Sequence, residues 1–340
     1  MAGPLSPPGP SLEDPLEAVR QSCRRVVAAA EEVTIDGRGL NALATELASA
    51  DLTPPALDPR CHVLGQGEAT VAFFLTLEAV NFGSGAFPDI PGWRVNGYFA
   101  VAGALARRYH RKGLWSAEEL ATLTPAESAA LFEIPGVDQI DGIEGSAVDL
   151  NRRFTAALNA LGEHILERYH GRFAALVEGA SGSAARLVER LIAMPGFRDE
   201  AEYRDAAGPF PVAFYKRAQL TAADLALAFG GQGWGRFDDL DRLTCFADNQ
   251  VPHVLRRDGV LRYGEALAER VDGGEAIPAG SPAEVEIRAA AVTAVEALRQ
   301  ELAHRGRWVT AVELDYFLWN RGLESRYAER PAHRTRTIFY

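Results

Sequence analysis

The chain has 340 residues, an apolar fraction of 47% and a formal net charge of −11. Length and apolar content suit one large globular domain or two closely packed ones, while the acidic balance argues against a broad nucleic-acid-binding surface. Three cysteines, Cys23, Cys61 and Cys245, lack metal-type spacing and read as reduced thiols of a cytoplasmic protein.

Residues 1–15 are rich in Pro, Gly and Ser and lack the basic start and apolar stretch of a secretory signal; they read as a flexible tail. Apolar residues at three- and four-residue spacing then predict a helix over 16–32. His62 precedes a helix over 68–81, closed by the loop Gly83-Ser84-Gly85. The longest apolar run, around 71–80, contains Glu78 and is too short to span a bilayer. The one strand candidate covers 94–100. Ser116 with Glu119, and Thr124 with Glu127, fit the capping box. The stretch from Leu131 to Asp138 faintly echoes a helix-hairpin-helix turn. Asp138 stands where that pattern needs a second glycine and would repel a phosphate, so the stretch reads as a plain turn. Helices follow over 148–178, 184–193 and 222–229, and 180–211 could mark a seam between two packed lobes of one domain, 16–340. Lys216 and Arg217 fall just before a helix start at Thr221 and Asp224. A helical pattern over 237–247 breaks at Asp248 and restarts with Pro252 in the first turn and Gly259 at the exit. Ser281 with Glu284, and Thr310 with Glu313, open helices over 283–304 and 311–320. The fold expected is all-α.

Four positions carry candidate chemistry, each beside a plainer reading. Asp248 lies at a helix break near free amides, where a carboxylate can be aimed at a substrate; it can equally be a helix cap. Lys216 and Arg217, next to Phe214 and Tyr215, could grip a phosphate or form a solvated basic pair. Asp315 shares a helix face with Trp319, and Tyr316 one with Asn320. A carboxylate among rings suits a guanine-like base, whose ring N–H and exocyclic amine are two parallel donors. Alternatively Asp315 pairs with an arginine such as Arg288. His62 could touch a ligand or be structural. No phosphate-binding Gly-Lys loop, dinucleotide glycine motif, metal-spaced Cys/His cluster or Ser/Cys nucleophile signature is present. No metal or cofactor is expected.

Taken together, Phe214-Tyr215-Lys216-Arg217-Ala218-Gln219, the run from Thr244 through Phe246-Ala247-Asp248 to Val251-Pro252, Gly280-Ser281-Pro282 leading to Arg288, and Leu314-Asp315-Tyr316 with Leu318-Trp319 resemble the queuosine salvage family. The similarity runs in consistent order from about His62 to Tyr340. It implies a queuosine 5′-phosphate N-glycosylase with a fold like that of helical helix-hairpin-helix DNA glycosylases. The reaction implied is hydrolysis of the bond between queuine, a 7-deazaguanine base, and ribose 5-phosphate. On that resemblance Asp248 is the catalytic aspartate, Lys216 binds phosphate, Asp315 and Tyr316 recognise the base, and His62, Phe246 and Asn320 bind substrate. Asn249-Gln250 and Asn320 depart from eukaryotic members, which carry Tyr-Arg and Asp there; the departures bear on contacts to the base more than on the reaction. The partner expected is a small molecule, with no membrane and no stable nucleic-acid complex; the oligomeric state is not encoded in any motif. The rival reading is a non-enzymatic helical module that binds a nucleotide or nucleic acid, which the acidic charge disfavours.

Overall fold

Asp14 accepts the Leu16 amide and opens helix α1 (Pro15–Ala29), which buries Leu16, Val19, Cys23 and Val26 as one stripe at helical spacing. Strand β1 (Val33–Ile35) follows, and Asp36 caps α2 (Gly37–Leu47). Helix α3 (Glu68–Ala79) has no polar face in its middle: Phe73, Phe74, Leu75 and Leu77 are all buried, and a helix apolar all round is stable only inside a protein. Beyond α4 (Gly97–Lys112), complete capping boxes start the short helices α5 (Ala117–Ala121) and α6 (Pro125–Phe132). Then come α7 (Ser146–Tyr169), α8 (Phe173–Glu178) and α9 (Ala184–Leu191). An antiparallel hairpin of β2 (Glu200–Asp205) and β3 (Gly208–Ala213) leads into α10 (Lys216–Ala228). Helix α11 (Gln250–Arg257) is followed by β4 (Leu261–Tyr263), which pairs with β1, and by α12 (Glu265–Asp272). The chain closes with α13 (Pro282–His304) and α14 (Ala311–Arg321). The computed structural model describes residues 14–90, 97–134 and 146–340.

The molecule is mostly helical, as expected, with two small two-stranded sheets added. Helix α13 is its axis. Ala289, Ala290, Ala291 and Ala294 are buried and let α1, α2, α11 and α14 approach closely around it. No described helix is long and apolar enough to cross a membrane. The loop after α3 packs tightly on the last residues of the chain: a Cβ on Gly85 would lie 2.0 Å from the Thr335 carbonyl oxygen, so only glycine fits there.

Several expectations change. Residues 97–100 are the first turn of α4, not a strand, and 94–96 lie outside the described residues, as do 1–13 of the tail and 135–138 of the hairpin-like echo. The helix expected over 148–178 breaks at His170 and Gly171, both at positive φ (52° and 79°). The helix expected from Ala222 begins at Lys216. The pattern over 237–247 gives only a 3-10 turn, Leu240–Arg242, and then extended chain, because side chains satisfy its amides: Gln219 takes the Thr244 N–H and Asp315 takes that of Phe246. The capping box at Ser281 is half made. Ser281 accepts the Glu284 amide, but the Glu284 carboxylate takes the Gly280 amide instead of closing the box.

Candidate active site

A cavity of about 600 Å³ opens between the loop after α3, helices α4, α10 and α14, and the loop before α11. Helix α10 turns Lys216, Leu220, Asp224 and Leu227 into it, one face at spacings of four, four and three. Helix α14 contributes Asp315, Tyr316, Trp319 and Asn320, and the loop contributes Phe246 and Asp248. His62 reaches the opposite wall. Seven of the residues singled out in the sequence, His62, Lys216, Phe246, Asp248, Asp315, Tyr316 and Asn320, therefore border one space, and Arg217 does not.

Asp248 is 7% exposed and is held from both sides. Its Oδ1 accepts the Gln250 and Val251 amides at 2.7 and 3.1 Å, so the residue does cap α11. Among the described residues its Oδ2 accepts no hydrogen bond. The cap and the exposed oxygen are compatible, because one oxygen fixes the group and leaves the other for the cavity. The carbonyl of Ala247, one residue earlier, accepts from Arg288 Nε at 2.9 Å.

Arg288 does not pair with Asp315. Its guanidinium binds Asp199 through two parallel hydrogen bonds of 2.9 and 2.6 Å, lies over the Phe214 and Tyr340 rings, and reaches Glu284 at 3.4 Å. Asp199 also accepts the Lys216 amide at 3.3 Å, and its carbonyl takes the Phe214 and Tyr215 amides. One buried ion pair thus fixes the loop carrying Asp248 and the start of α10. Such a pair contributes position more than stability. Tyr215, at φ 51°, makes the sharp turn into α10, a strained conformation for a non-glycine residue immediately before Lys216.

Lys216 is 5% exposed, and among the described residues no carboxylate ion-pairs with its ammonium. A buried ammonium without a contact partner is costly and suits an incoming anion. Arg217 does something else. It points away from the cavity and binds the Glu78, Ala79 and Gly196 carbonyls, clamping the end of α3.

Asp315 is 4% exposed; its Oδ1 accepts from the Phe246 amide at 2.8 Å and from the Cys245 thiol at 3.3 Å. Burial, followed by the negative charge of Asp248, pushes its pKa up to about 7. Tyr316 donates to Asp224 at 2.5 Å, and its ring stands edge-on to Phe246. Asn320 donates back to the Tyr316 carbonyl, one helical turn earlier, at 2.8 Å. Both His62 nitrogens are engaged by the protein. Nδ1 donates to the Asp58 carbonyl, so Nε2 accepts from the Tyr98 hydroxyl, each at 2.8 Å. Burial lowers the pKa of this imidazole, which favours the neutral form. His62 therefore orients Tyr98 at the cavity wall.

Asp224, Tyr98 and the Asp199–Arg288 pair were not picked out as site residues. Asp224 could have been, since it lies two helical turns from Lys216 on the same face; reading it as a helix start hid that spacing.

Fold and cavity together define a helical protein with an acid-lined, aromatic-walled site of nucleotide size. The family model described as "Queuosine salvage protein" matches residues 61–340. The queuosine 5′-phosphate N-glycosylase/hydrolase of Sphaerobacter thermophilus is 40% identical over 95% of this chain and 97% of its own. The mouse protein of the same name is 29% identical over the whole of both chains, and that of Dictyostelium discoideum is 38% identical over 54% of this chain and 56% of its own. This chain belongs to the queuosine salvage protein family.

Proposed function

We propose that this chain hydrolyses the N-glycosidic bond of queuosine 5′-phosphate, releasing queuine and ribose 5-phosphate. The observation that carries the reading is the convergence of Lys216, Asp248 and Asp315 with aromatic side chains on one cavity. The relatives' printed names support the substrate.

The bond between the sugar C1′ and the base nitrogen breaks, and its electron pair leaves with the base. Positive charge builds on the sugar, as in glycoside hydrolysis. The Asp248 carboxylate, held at Oδ1, presents Oδ2 to that charge and to the attacking water. Water gives its hydroxyl to C1′; its remaining proton balances the one the departing base takes up. A 7-deaza base lacks the ring nitrogen that is usually protonated to assist departure, so more of the barrier falls to stabilising the sugar cation. Lys216 holds the phosphate, and that remote binding energy fixes the sugar in place. The Asp315 carboxylate accepts from the ring N–H and amine of the base, with one of the mutually perpendicular Tyr316 and Phe246 rings against its face and the other at its edge. A fold related to helical DNA glycosylases is part of the same proposal, as is a cytoplasmic location. No step uses a metal or a cofactor.

The purified protein, given queuosine 5′-phosphate in buffer containing a chelator, is expected to release queuine and ribose 5-phosphate in equal amounts. Mass spectrometry of the products checks this, and absence of free base rejects the reading.

A pH dependence follows from Asp315. Its ionised form accepts the base, and that form is depleted below about pH 7. Affinity for queuine is therefore expected to fall roughly tenfold per pH unit on the acid side of that value. Calorimetric titrations of wild type and Asp315→Asn at several pH values test it. The slope should be absent in the variant, and a flat wild-type profile rejects the ionised-acceptor role.

A further inference from the structure

Glu78 interrupts the longest apolar run of the chain, and the cleavage described above leaves it without a task. It is completely buried on α3, and Asp224 on α10 lies against it within hydrogen-bonding reach. The Asp224 Oδ1 accepts from the Tyr316 hydroxyl at 2.5 Å. The Asp224 Oδ2 is sealed from solvent, and among the described residues no N–H or hydroxyl donor reaches it. A carboxyl proton on Glu78 is the donor that fits. Two carboxylates in contact inside a protein cannot both remain ionised, so the pair must hold a proton. Asn81 brings its amide to both Glu78 oxygens at 3.2 and 3.1 Å, which fixes the carboxyl plane.

We propose that Glu78 and Asp224 share one proton, and that the resulting singly charged unit sets the Tyr316 phenol and the Lys216 ammonium for cleavage, with Glu78 acting as a positioning residue. The proposal rests on the N-glycosidic hydrolysis proposed above.

The surroundings of the pair fit one negative charge. Lys216 and Arg217 face it from α10, Tyr98 from α4, and Tyr316 from α14, while Asp315 on α14 faces Asp248 and Lys216. Helices α7 and α8, which also pack on α3, and α9, which packs on α10, bury no ionisable side chain. Arg217 gives both terminal nitrogens to backbone carbonyls and keeps only its Nε without a partner, whereas among the described residues no hydrogen bond ties down the Lys216 ammonium. A second negative charge would draw the Lys216 ammonium away from the cavity and disturb the Tyr316 hydrogen bond. Both carboxyls titrate above the usual carboxylate range, Glu78 further than Asp224, with burial the main cause in each and the charge of Asp224 next for Glu78.

The test compares Glu78→Gln and Glu78→Ala with wild type, following kcat/KM for queuosine 5′-phosphate from about pH 6 to about pH 10, a span that covers the raised titration of a buried carboxyl. Wild-type activity should fall on the alkaline side as the shared proton is lost. Glu78→Gln supplies a permanent N–H to Asp224. It should restore activity lost in Glu78→Ala at neutral pH and move the alkaline fall to higher pH. Glu78→Ala, which leaves Asp224 without its donor, should lose about tenfold or more. A Glu78→Gln protein that melts like wild type yet is as inactive as Glu78→Ala overturns the proposal, as does one that keeps the wild-type alkaline limb. Should Glu78→Ala not fold, the comparison of Glu78→Gln with wild type still decides. Failure of the underlying activity is separable, because then wild type itself releases no base at any pH.

Discussion

Asp248→Asn is expected to fold like the wild type and to lose roughly 10²–10³-fold or more in kcat, the usual effect of removing a group that stabilises transition-state charge. The substitution is nearly isosteric. Its Oδ1 can still accept the Gln250 and Val251 amides, so the cap on α11 survives with a neutral acceptor. With that oxygen committed to the cap, the second position becomes an amide donor, which offers no negative charge to the sugar. KM for queuosine 5′-phosphate should change little, since phosphate and base are held by other side chains. Asp248→Ala separates the two jobs of the residue: it removes charge and cap together, and should cost about a further 0.5–2 kcal/mol of stability. Steady-state kinetics beside thermal melting read both. A folded Asn variant with wild-type turnover would mean that Asp248 serves only α11.

How much of this was legible in the sequence depends on how local each constraint is. The face that α14 shows the cavity was readable, because Asp315, Tyr316, Trp319 and Asn320 are linked by helical spacing alone. The helices opened by Ser116, Thr124 and Thr310 were readable for the same reason, since a capping box is complete within four residues. The approach to Asp248 was not. Residues 243–247 carry a helical pattern, yet their amides are claimed by Gln219 and Asp315, 25 and 69 residues away, and nothing local announces those partners. The β2–β3 hairpin was hidden by its own composition. Tyr203, Phe210 and Val212 face inward, but Pro209 and Pro211 occupy the outward positions of β3, and the turn is Ala206-Ala207 rather than a glycine pair. The partner of Arg288 was missed because Asp199 lies 89 residues earlier, in a loop with no motif. Side chains that bind were visible in the sequence; the distant contacts that aim them were not.

Lys216→Ala should lower kcat/KM for queuosine 5′-phosphate by about 10- to 100-fold, the range for losing a hydrogen bond to a charged group. The loss should be confined to the phosphorylated substrate, with queuine affinity at alkaline pH largely kept. A structural reading of Lys216 predicts otherwise. If its charge served mainly to balance the buried carboxyls, its removal would unsettle the fold and weaken every ligand alike. Melting temperature decides between them, because an ammonium buried without a contact partner costs desolvation that alanine does not incur. The phosphate-binding role therefore predicts a melting temperature close to the wild-type value, the relieved desolvation offsetting the lost attraction to the buried carboxyls. There is a second signature. The positive charge of Lys216 holds down the pKa values of Glu78, Asp224 and Asp315, so all three should titrate higher in the variant. The pH at which queuine affinity levels off should then move to the alkaline side. A variant that melts well below wild type, and loses affinity for phosphorylated and free ligands in equal proportion, would place Lys216 in the scaffold instead of at the phosphate.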